Sequence, residues 1–290
     1  MRCFMVRPRR CLRCLFVVCL AFPLMGVNEG FADYRVIDVA DGATVKGQVV
    51  WTGAVPELPP IKVFADLDSC GTQVASPVLR IDPATHGLEE TLVYLERVEQ
   101  GKAPESSYRV AMGERDGDPA TRQCQFQQQV FPFVRTSDLT LINHESVLHN
   151  PHVFSEKHSS LFNLALPTAG REITARLPRA RGVGLRLQCD VHVHMNAWAA
   201  ALEHPYFAVT DAQGRFEIGN IPPGTYTLVA WHAGYNIVRF IASRPLYDDP
   251  HILRQTIELS PKAQVERRFE FPARPVEVEW KVAGGEEGER

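Results

Sequence analysis

The residues best suited to chemistry lie in one short stretch, Cys189–Met195, with the sequence Cys-Asp-Val-His-Val-His-Met. Soft sulfur ligands beside imidazole suit copper, and two histidines and one cysteine with a weak axial methionine describe an electron-transfer copper site. The short loop supplies only one of those two histidines, so the second must come from elsewhere. The stretch 143–152, with its several histidines, offers candidates.

The spacing of these residues sets a geometric requirement. Successive side chains of a straight strand point to opposite faces, so His192 would face away from Cys189 and Met195. We therefore expect the chain to turn at Asp190-Val191 so that all three side chains converge. The alternative is a straight segment that places His192 and His194 on one face, a pair suited to zinc or to type-2 copper.

The cysteines indicate a disulfide and one reactive thiol. Four of the seven lie in the first 32 residues, and Cys70, Cys124 and Cys189 remain after them. In an oxidising compartment two of three should pair and one should be left for chemistry. Because Cys189 lies among the metal-binding side chains, we predict a Cys70–Cys124 disulfide, worth ~2–4 kcal/mol.

Residues 1–32 are typical of a targeting signal. Five arginines precede an apolar run from Cys14 to Val27, and Gly30-Phe31-Ala32 supplies small residues before a cut after Ala32. The apolar run is too short to span a bilayer, so we expect a cleaved signal and a periplasmic or secreted protein. The formal net charge is −3, and removal of the arginines makes it more negative, which argues against nucleic acid or an anionic membrane as partner.

The remaining sequence predicts an all-β protein built from sandwich-like domains, since short alternating runs recur and no long 3.6-residue period occurs. Val45, Gly47, Val49 and Trp51 open this pattern, and Val209 to Ile218 is interpreted as a hairpin closed by Gly214. The segment 101–121 has the composition of a linker. The alanine-rich run 197–202 is compatible with either a helical turn or a strand.

Two motifs in sequence order carry a family resemblance. The strand-like Leu139–Asn143, then Leu-His-Asn-Pro-His at 148–152, then Cys-x-x-His-x-x-Met at 189–195 resemble the cupredoxins, most closely amicyanin, the plastocyanin-like proteins and the methylamine-utilisation-type proteins. The resemblance covers roughly residues 121–205. It implies a Greek-key β-sandwich that holds one type 1-like copper ion.

The same resemblance assigns roles to individual residues. It implies that His149, Cys189 and His192 are the strong copper ligands and that Met195 is the axial ligand. Asn150 falls on the asparagine that ties the two ligand loops together by hydrogen bonds. Two positions depart from the family pattern: Pro151 replaces an aliphatic residue, and His194 stands where an apolar or aromatic side chain is usual.

His194 and His152 are candidate extra ligands. His194 is also compatible with a surface histidine that relays electrons or with a simply solvated side chain. His152 falls on the non-ligand histidine of the family motif.

The flanking sequence carries a second resemblance. The pattern from Thr210-Asp211 through Gly214, Pro222-Pro223-Gly224 and Leu228 resembles the carboxypeptidase regulatory-like, transthyretin-like β-sandwich. The run from Val45 could be its opening strand, so the flanking sandwich could be discontinuous with the copper domain inserted. The resemblance suggests that the C-terminal β-sandwich contacts a glycan or the cell envelope.

These observations predict five segments along the chain. They are a signal peptide (1–32), an N-terminal β region (33–110) that could belong to the C-terminal sandwich, a cupredoxin-like copper domain (111–204), a carboxypeptidase regulatory-like β-sandwich (205–283) and a disordered tail (284–290).

The predicted function is an exported mononuclear copper protein that carries electrons by Cu(I)/Cu(II) cycling, with a redox protein as partner. One alternative is a copper or zinc carrier that uses the histidine cluster. Another is a carbohydrate-binding-like or structural envelope module without a functional metal. We expect no enzymatic activity, because the sequence has no phosphate-binding glycine loop, nucleophile elbow or His-Glu-x-x-His motif.

Overall fold

Buried and exposed side chains alternate along many strands of the structure, as the sequence predicts. The computed structural model describes residues 34–113 and 123–274, all within one compact unit. The predicted signal peptide and the predicted tail lie outside the described residues. Among the described residues, no helix is long and apolar enough to cross a membrane.

The first part of the chain contains seven strands and one short helix. They are β1 (Arg35–Val36), β2 (Ala43–Thr52), β3 (Ile61–Lys62), α1 (Leu67–Cys70), β4 (Gln73–Val74), β5 (Leu92–Leu95), β6 (Gln100–Gly101) and β7 (Ser107–Met112).

The middle part contains seven more strands. They are β8 (Val130–Val134), β9 (Asp138–Asn143), β10 (Pro151–Phe154), β11 (Ser160–Asn163), β12 (Arg171–Ala175), β13 (Gly182–Cys189) and β14 (Asn196–Leu202).

The last part, as far as residue 274, again contains seven strands. They are β15 (Phe207–Val209), β16 (Arg215–Ile221), β17 (Gly224–His232), β18 (Ile237–Ile241), β19 (Arg244–Tyr247), β20 (His251–Leu259) and β21 (Gln264–Pro272).

The site sandwich, our name for the sandwich that carries the predicted metal ligands, packs two sheets face to face. A five-stranded sheet in the order β11-β10-β13-β14-β8 faces a three-stranded sheet in the order β12-β9-β7. Their inner faces share one apolar cluster, which includes Met112, Phe133, Leu141, Val153 and Leu187. Cys189 lies at the end of this core.

The flanking sandwich consists of a sheet in the order β15-β5-β17-β20 and a sheet in the order β16-β2-β21. Strands β2 and β5 precede the site sandwich in sequence, whereas the other strands follow it. A single apolar core that includes Val49, Val93, Ile218, Leu228 and Phe269 joins strands from both parts of the chain. The flanking sandwich is therefore assembled from two separated segments.

Strand β14 shows why the alanine-rich run 197–202 is a strand. Ala197, Ala199 and Ala201 point into the core of the site sandwich. Ala200 and Leu202 belong to a separate apolar cluster that also contains Trp231 of the flanking sandwich. Both faces of the strand are therefore covered, and small side chains allow this close packing.

Two local predictions were wrong. The segment 101–121 was predicted to be a linker, but Ser107–Met112 forms β7, which pairs in parallel with β9. Val209 to Ile218 was predicted to be a hairpin, but β15 pairs with β5 while β16 pairs with β2. The turn at Gly214 therefore passes the chain from one sheet of the flanking sandwich to the other. The local pattern marks strands and turns, but the strand partners lie far away in sequence.

Candidate metal centre

Two chain segments meet at the edge of the site sandwich because β10 and β13 pair in an antiparallel manner. Pro151, the first residue of β10, is opposite Cys189, the last residue of β13. The backbone N–H of Asp190 donates to the carbonyl of Asn150 at 3.0 Å. His149 is held by a pair of backbone hydrogen bonds with Leu166, at 3.1 and 2.7 Å. The strand register therefore fixes the position of His149 relative to Cys189.

The chain bends at Asp190-Val191, directly after β13, as convergence of the ligands requires. The loop closes through a hydrogen bond from the N–H of Met195 to the carbonyl of His192, at 2.9 Å, and one from the N–H of Cys189 to the carbonyl of Met195, at 3.3 Å. Residues 191–195 form no strand. The straight-strand alternative, with His192 and His194 paired on one face, does not occur.

Three of the predicted ligand atoms converge. The Sγ of Cys189 lies 3.9 Å from Nδ1 of His149 and 3.7 Å from Nδ1 of His192. All three residues are buried, and their ligand atoms lie within 4.8 Å of one another. Nitrogen and sulfur atoms bound to one metal at ~2.0 and ~2.3 Å, at an angle of about 120°, lie about 3.8 Å apart. The spacing therefore fits a metal ion between these atoms.

The groups around the sulfur of Cys189 stabilise a negative charge on it. The backbone N–H groups of Asn150 and His192 donate to Sγ at 3.3 and 3.4 Å. Burial works to raise the pKa of this thiol, but the two histidine rings and the two N–H groups outweigh burial and lower the pKa to about 6. The thiolate is the form that binds a metal, so these contacts favour the ligand state.

Glu145 contacts the Nε2 atom of His149. This atom lies 2.7 Å from Oε2 of Glu145, while Nδ1 of the same ring faces Cys189. Burial works to lower the pKa of His149, but contacts with Cys189 and Glu145 outweigh burial and raise the pKa to about 9. The opposite directions of the two pKa shifts favour a proton on His149 and a negative charge on Cys189.

His192 is completely buried, with 0% of its surface exposed. Its Nδ1 faces Cys189, and its Nε2 lies 3.0 Å from Oδ2 of Asp66 and 3.5 Å from Sγ of Cys70. Cys70 forms a disulfide with Cys124, with the two Cα atoms 5.5 Å apart. Cys189 is the free cysteine of the described residues. The predicted disulfide and the predicted free thiol therefore contact different nitrogens of the His192 ring.

Met195 is 1% exposed and belongs to the same apolar cluster as Cys189. The loop hydrogen bonds described above return its backbone to the end of β13. The structure thus places the predicted axial residue in the buried interior beside the cysteine ligand.

Asn150 connects the two loops through its backbone rather than its side chain. Its N–H donates to the sulfur of Cys189, and its carbonyl accepts from Asp190. The side-chain Oδ1 is buried and has no hydrogen-bond partner. The predicted tie between the loops is present, but the main chain makes it.

The two candidate extra ligands contact other protein groups, although Nδ1 of His194 is buried without a hydrogen-bond partner. His194 is 2% exposed, so the interpretation of a solvated side chain was wrong, and its Nε2 donates to the carbonyl of Cys124 at 2.9 Å. Burial lowers the pKa of His194 to about 4, so this ring is neutral at physiological pH. His152 contacts Asp190 through Nδ1, at 2.8 Å, and Ser160 through Nε2, at 2.9 Å. In the described part of the chain, neither belongs to a group of converging ligand atoms.

Arg244 contacts the segment 189–195, which carries three of the predicted ligands. Sequence reasoning did not identify this residue. It lies in β19, after the two-residue turn Ala242-Ser243, where both residues have positive φ angles of 46° and 65°. Its Nη2 donates to the carbonyl of Cys189 at 2.7 Å, and its Nη1 donates to the carbonyl of Met195 at 3.3 Å. The β18–β19 hairpin thereby supports both ends of the ligand loop.

Comparisons with known proteins found partial similarities. A family model described as polysaccharide lyase family 4, domain II, matches residues 188–239. A solved structure described as a novel purple cupredoxin from Nitrosopumilus maritimus is 18% identical, with a TM-score of 0.27, and the match covers 32% of this chain and 98% of that chain. No curated protein matches the chain.

The family match corrects one prediction. It overlaps the segment from Thr210 to Leu228, which was predicted to resemble a carboxypeptidase regulatory-like domain, but the matching family is a different one. Glycine and proline turns between alternating residues are common to many β-sandwiches, so that pattern did not distinguish between such families. The match runs from the end of β13 into β18, across strands of both sandwiches.

Proposed function

We propose that this chain is an exported mononuclear copper protein that carries electrons, with a cupredoxin-type site in the site sandwich. The observation that carries the proposal is the convergence of His149 Nδ1, Cys189 Sγ and His192 Nδ1 at distances that suit a shared metal ion. One thiolate and two imidazoles, with a buried methionine nearby, form a donor set typical of copper.

Each residue has a role in the proposed site. His149, Cys189 and His192 would hold the ion, and Met195 would be the weak axial ligand. A bound copper ion would supply one-electron transfer, with no bond to a substrate made or broken. The N–H groups of Asn150 and His192 stabilise the thiolate, and hydrogen bonding around the cysteine sulfur is one determinant of a copper potential. The strand register and Arg244 hold the ligand loops in place.

The structure favours this function over a copper or zinc carrier that uses the histidine cluster. Such a carrier would need His152 and His194 as ligands, and in the described part of the chain neither belongs to a group of converging ligand atoms. The glycan-binding alternative has support only from the name of the matched family, which covers 52 of 290 residues. Glycan binding that persists in a metal-free Cys189→Ser variant would favour this alternative.

Addition of copper to the metal-free protein tests the proposal. We expect one equivalent of Cu(II) to produce an intense visible band from thiolate-to-copper charge transfer. The Cys189→Ser variant should lose this band, whereas the control His152→Gln should keep it, because His152 lies outside the converging group. A wild-type protein that takes up copper without this band, or that binds more than one ion per chain, would contradict the proposed site.

A further inference from the structure

A small segment outside the two ligand loops covers the far edge of His192. We call it the cap: residues 61–74, which comprise β3, α1 and β4. Asp66 and Cys70 of the cap approach Nε2 of His192 at 3.0 and 3.5 Å. The imidazole edge that points away from Cys189 is therefore in contact with protein rather than solvent.

The contact with Asp66 determines which nitrogen of His192 carries the proton. An ionised carboxylate can only accept a hydrogen bond, so the adjacent Nε2 must be the donor. The Nδ1 of a neutral ring then carries the free lone pair, and this is the nitrogen 3.7 Å from the sulfur of Cys189. Partners of this kind fix the tautomer and the orientation of metal-binding histidines.

We infer that Asp66 is a positioning residue for His192, and that the Cys70–Cys124 disulfide holds it in place. This inference rests on the proposed function in one respect only, which is that the Nδ1 of His192 binds the metal. Asp66 itself would not contact the metal.

The position of Asp66 needs such a support. Its carboxylate side chain is 41% exposed, and an ion pair open to solvent contributes little unless its geometry is fixed. The carbonyl of Asp66 accepts the N–H groups of Ser69 and Cys70 at 2.9 and 2.8 Å, so the residue is bound to the first turn of α1. Cys70, four residues later, is linked covalently to Cys124.

Cys124 also connects to the other ligand histidine. Its N–H donates to Oε1 of Glu145 at 2.8 Å, and Oε2 of the same carboxylate contacts Nε2 of His149. Its carbonyl accepts from His194. The disulfide is thus the common support of two carboxylate–imidazole pairs, one for each histidine ligand.

Metal-free protein labelled with ¹⁵N provides the first test, because the ring nitrogens of a histidine report its tautomer by NMR. We expect His192 to be the Nε2–H tautomer in the wild type and a mixture of tautomers in Asp66→Ala. Asp66→Asn should give an intermediate result, since its amide can either accept from or donate to Nε2. Asp68→Ala, which removes an exposed carboxylate from the same helix, serves as the control. An unchanged tautomer in Asp66→Ala would overturn the inference.

Copper affinity, measured by competition with a chelator, provides the second test. Loss of a partner behind a metal ligand costs about 10–100-fold in affinity, so Asp66→Ala should bind copper that much more weakly than Asp68→Ala. In a Cys70→Ala/Cys124→Ala background the same substitution should have a clearly smaller effect, because the support is already lost. An equally large effect in both backgrounds would overturn the role of the disulfide. A tautomer change in a protein that binds no copper would support the positioning role of Asp66 and contradict only the proposed function.

Discussion

Among single residues, Cys189 has the contacts that organise the site. Two rings and two backbone N–H groups surround its sulfur, and their effect on the thiol pKa outweighs that of burial. Each contact comes from a residue within a few positions of a strand end, so the charge is stabilised by groups that the fold already holds still. This arrangement suits electron transfer, which requires that ligand positions change little between oxidation states.

Substitution of Met195 tests its predicted role as the axial ligand. In Met195→Leu we expect the charge-transfer band to remain, because the three strong ligands are unchanged, and the reduction potential to rise by on the order of 60 mV. Voltammetry of the loaded protein measures the change. Met112→Leu, which changes a fully buried methionine in the same core, is the matched control and should leave the potential unaltered. Equal potentials for the wild type and Met195→Leu would exclude the axial role.

His232 is a residue whose neutral state contributes to stability. It is buried in the flanking sandwich, and burial lowers its pKa to about 4 from an ordinary value of 6.5. Because the unfolded chain binds a proton more readily, the stabilisation is complete above pH 6.5 and is lost as the pH falls towards 4. The loss amounts to about 3 kcal/mol at most.

Denaturant unfolding at pH 7 and pH 4.5 measures this effect. His232→Asn keeps a donor for the carbonyl of Ala233, which accepts from His232 Nδ1 at 2.8 Å, but it cannot titrate. The variant should therefore lose less free energy of unfolding on acidification than the wild type does. The exposed substitution His144→Asn should behave as the wild type. A wild-type pH dependence in His232→Asn would refute the assignment.

At the scale of structural elements, the β18–β19 hairpin and the cap both contact the segment 189–195. The hairpin supplies Arg244 to the carbonyls of Cys189 and Met195, and the cap supplies Asp66 to His192. Both elements lie more than 40 residues from the loop in sequence, and neither carries a metal-binding motif. Their position against the site follows from tertiary packing alone.

Arg244→Met should destabilise the protein and lower the copper potential. The substitution removes the arginine donor of the Cys189 carbonyl and one of the two donors of the Met195 carbonyl, which costs about 1–3 kcal/mol of unfolding free energy. It also removes a positive charge near the thiolate, and that charge favours the reduced ion, which carries one positive charge less. Denaturant unfolding and voltammetry measure the two effects. Arg239→Met, an exposed change in the same hairpin, is the control. Indistinguishable values for the two variants would show that Arg244 is not a support of the loop.

These elements also show how far the sequence could predict the site. The order of the motifs, the odd number of cysteines and the need for a bend at Asp190-Val191 were sufficient to predict a site from His149, Cys189, His192 and Met195. The roles of Asp66 and Glu145 could not be predicted, because a carboxylate that contacts a ring from a distant loop leaves no periodic signal in the sequence.

For the molecule as a whole, the two sandwiches share an apolar contact through β14 and are interleaved in sequence. Alternating residues predicted the all-β class, because many strands, unlike β14, have a covered face and an open face. They could not predict which strands pair, since β2 meets β21 more than 200 residues later. The same limit explains the mistaken hairpin at 209–218, where the turn was recognised but both strand partners are distant.

The most direct test of the account is a crystal of the copper-loaded protein, with diffraction recorded at the copper absorption edge. We predict a single anomalous peak about 2.0–2.4 Å from His149 Nδ1, Cys189 Sγ and His192 Nδ1, with Met195 on its axial side. A peak at the surface beside His152, or between Cys70, Cys124 and His192, with none among the three predicted atoms, would contradict the central claim.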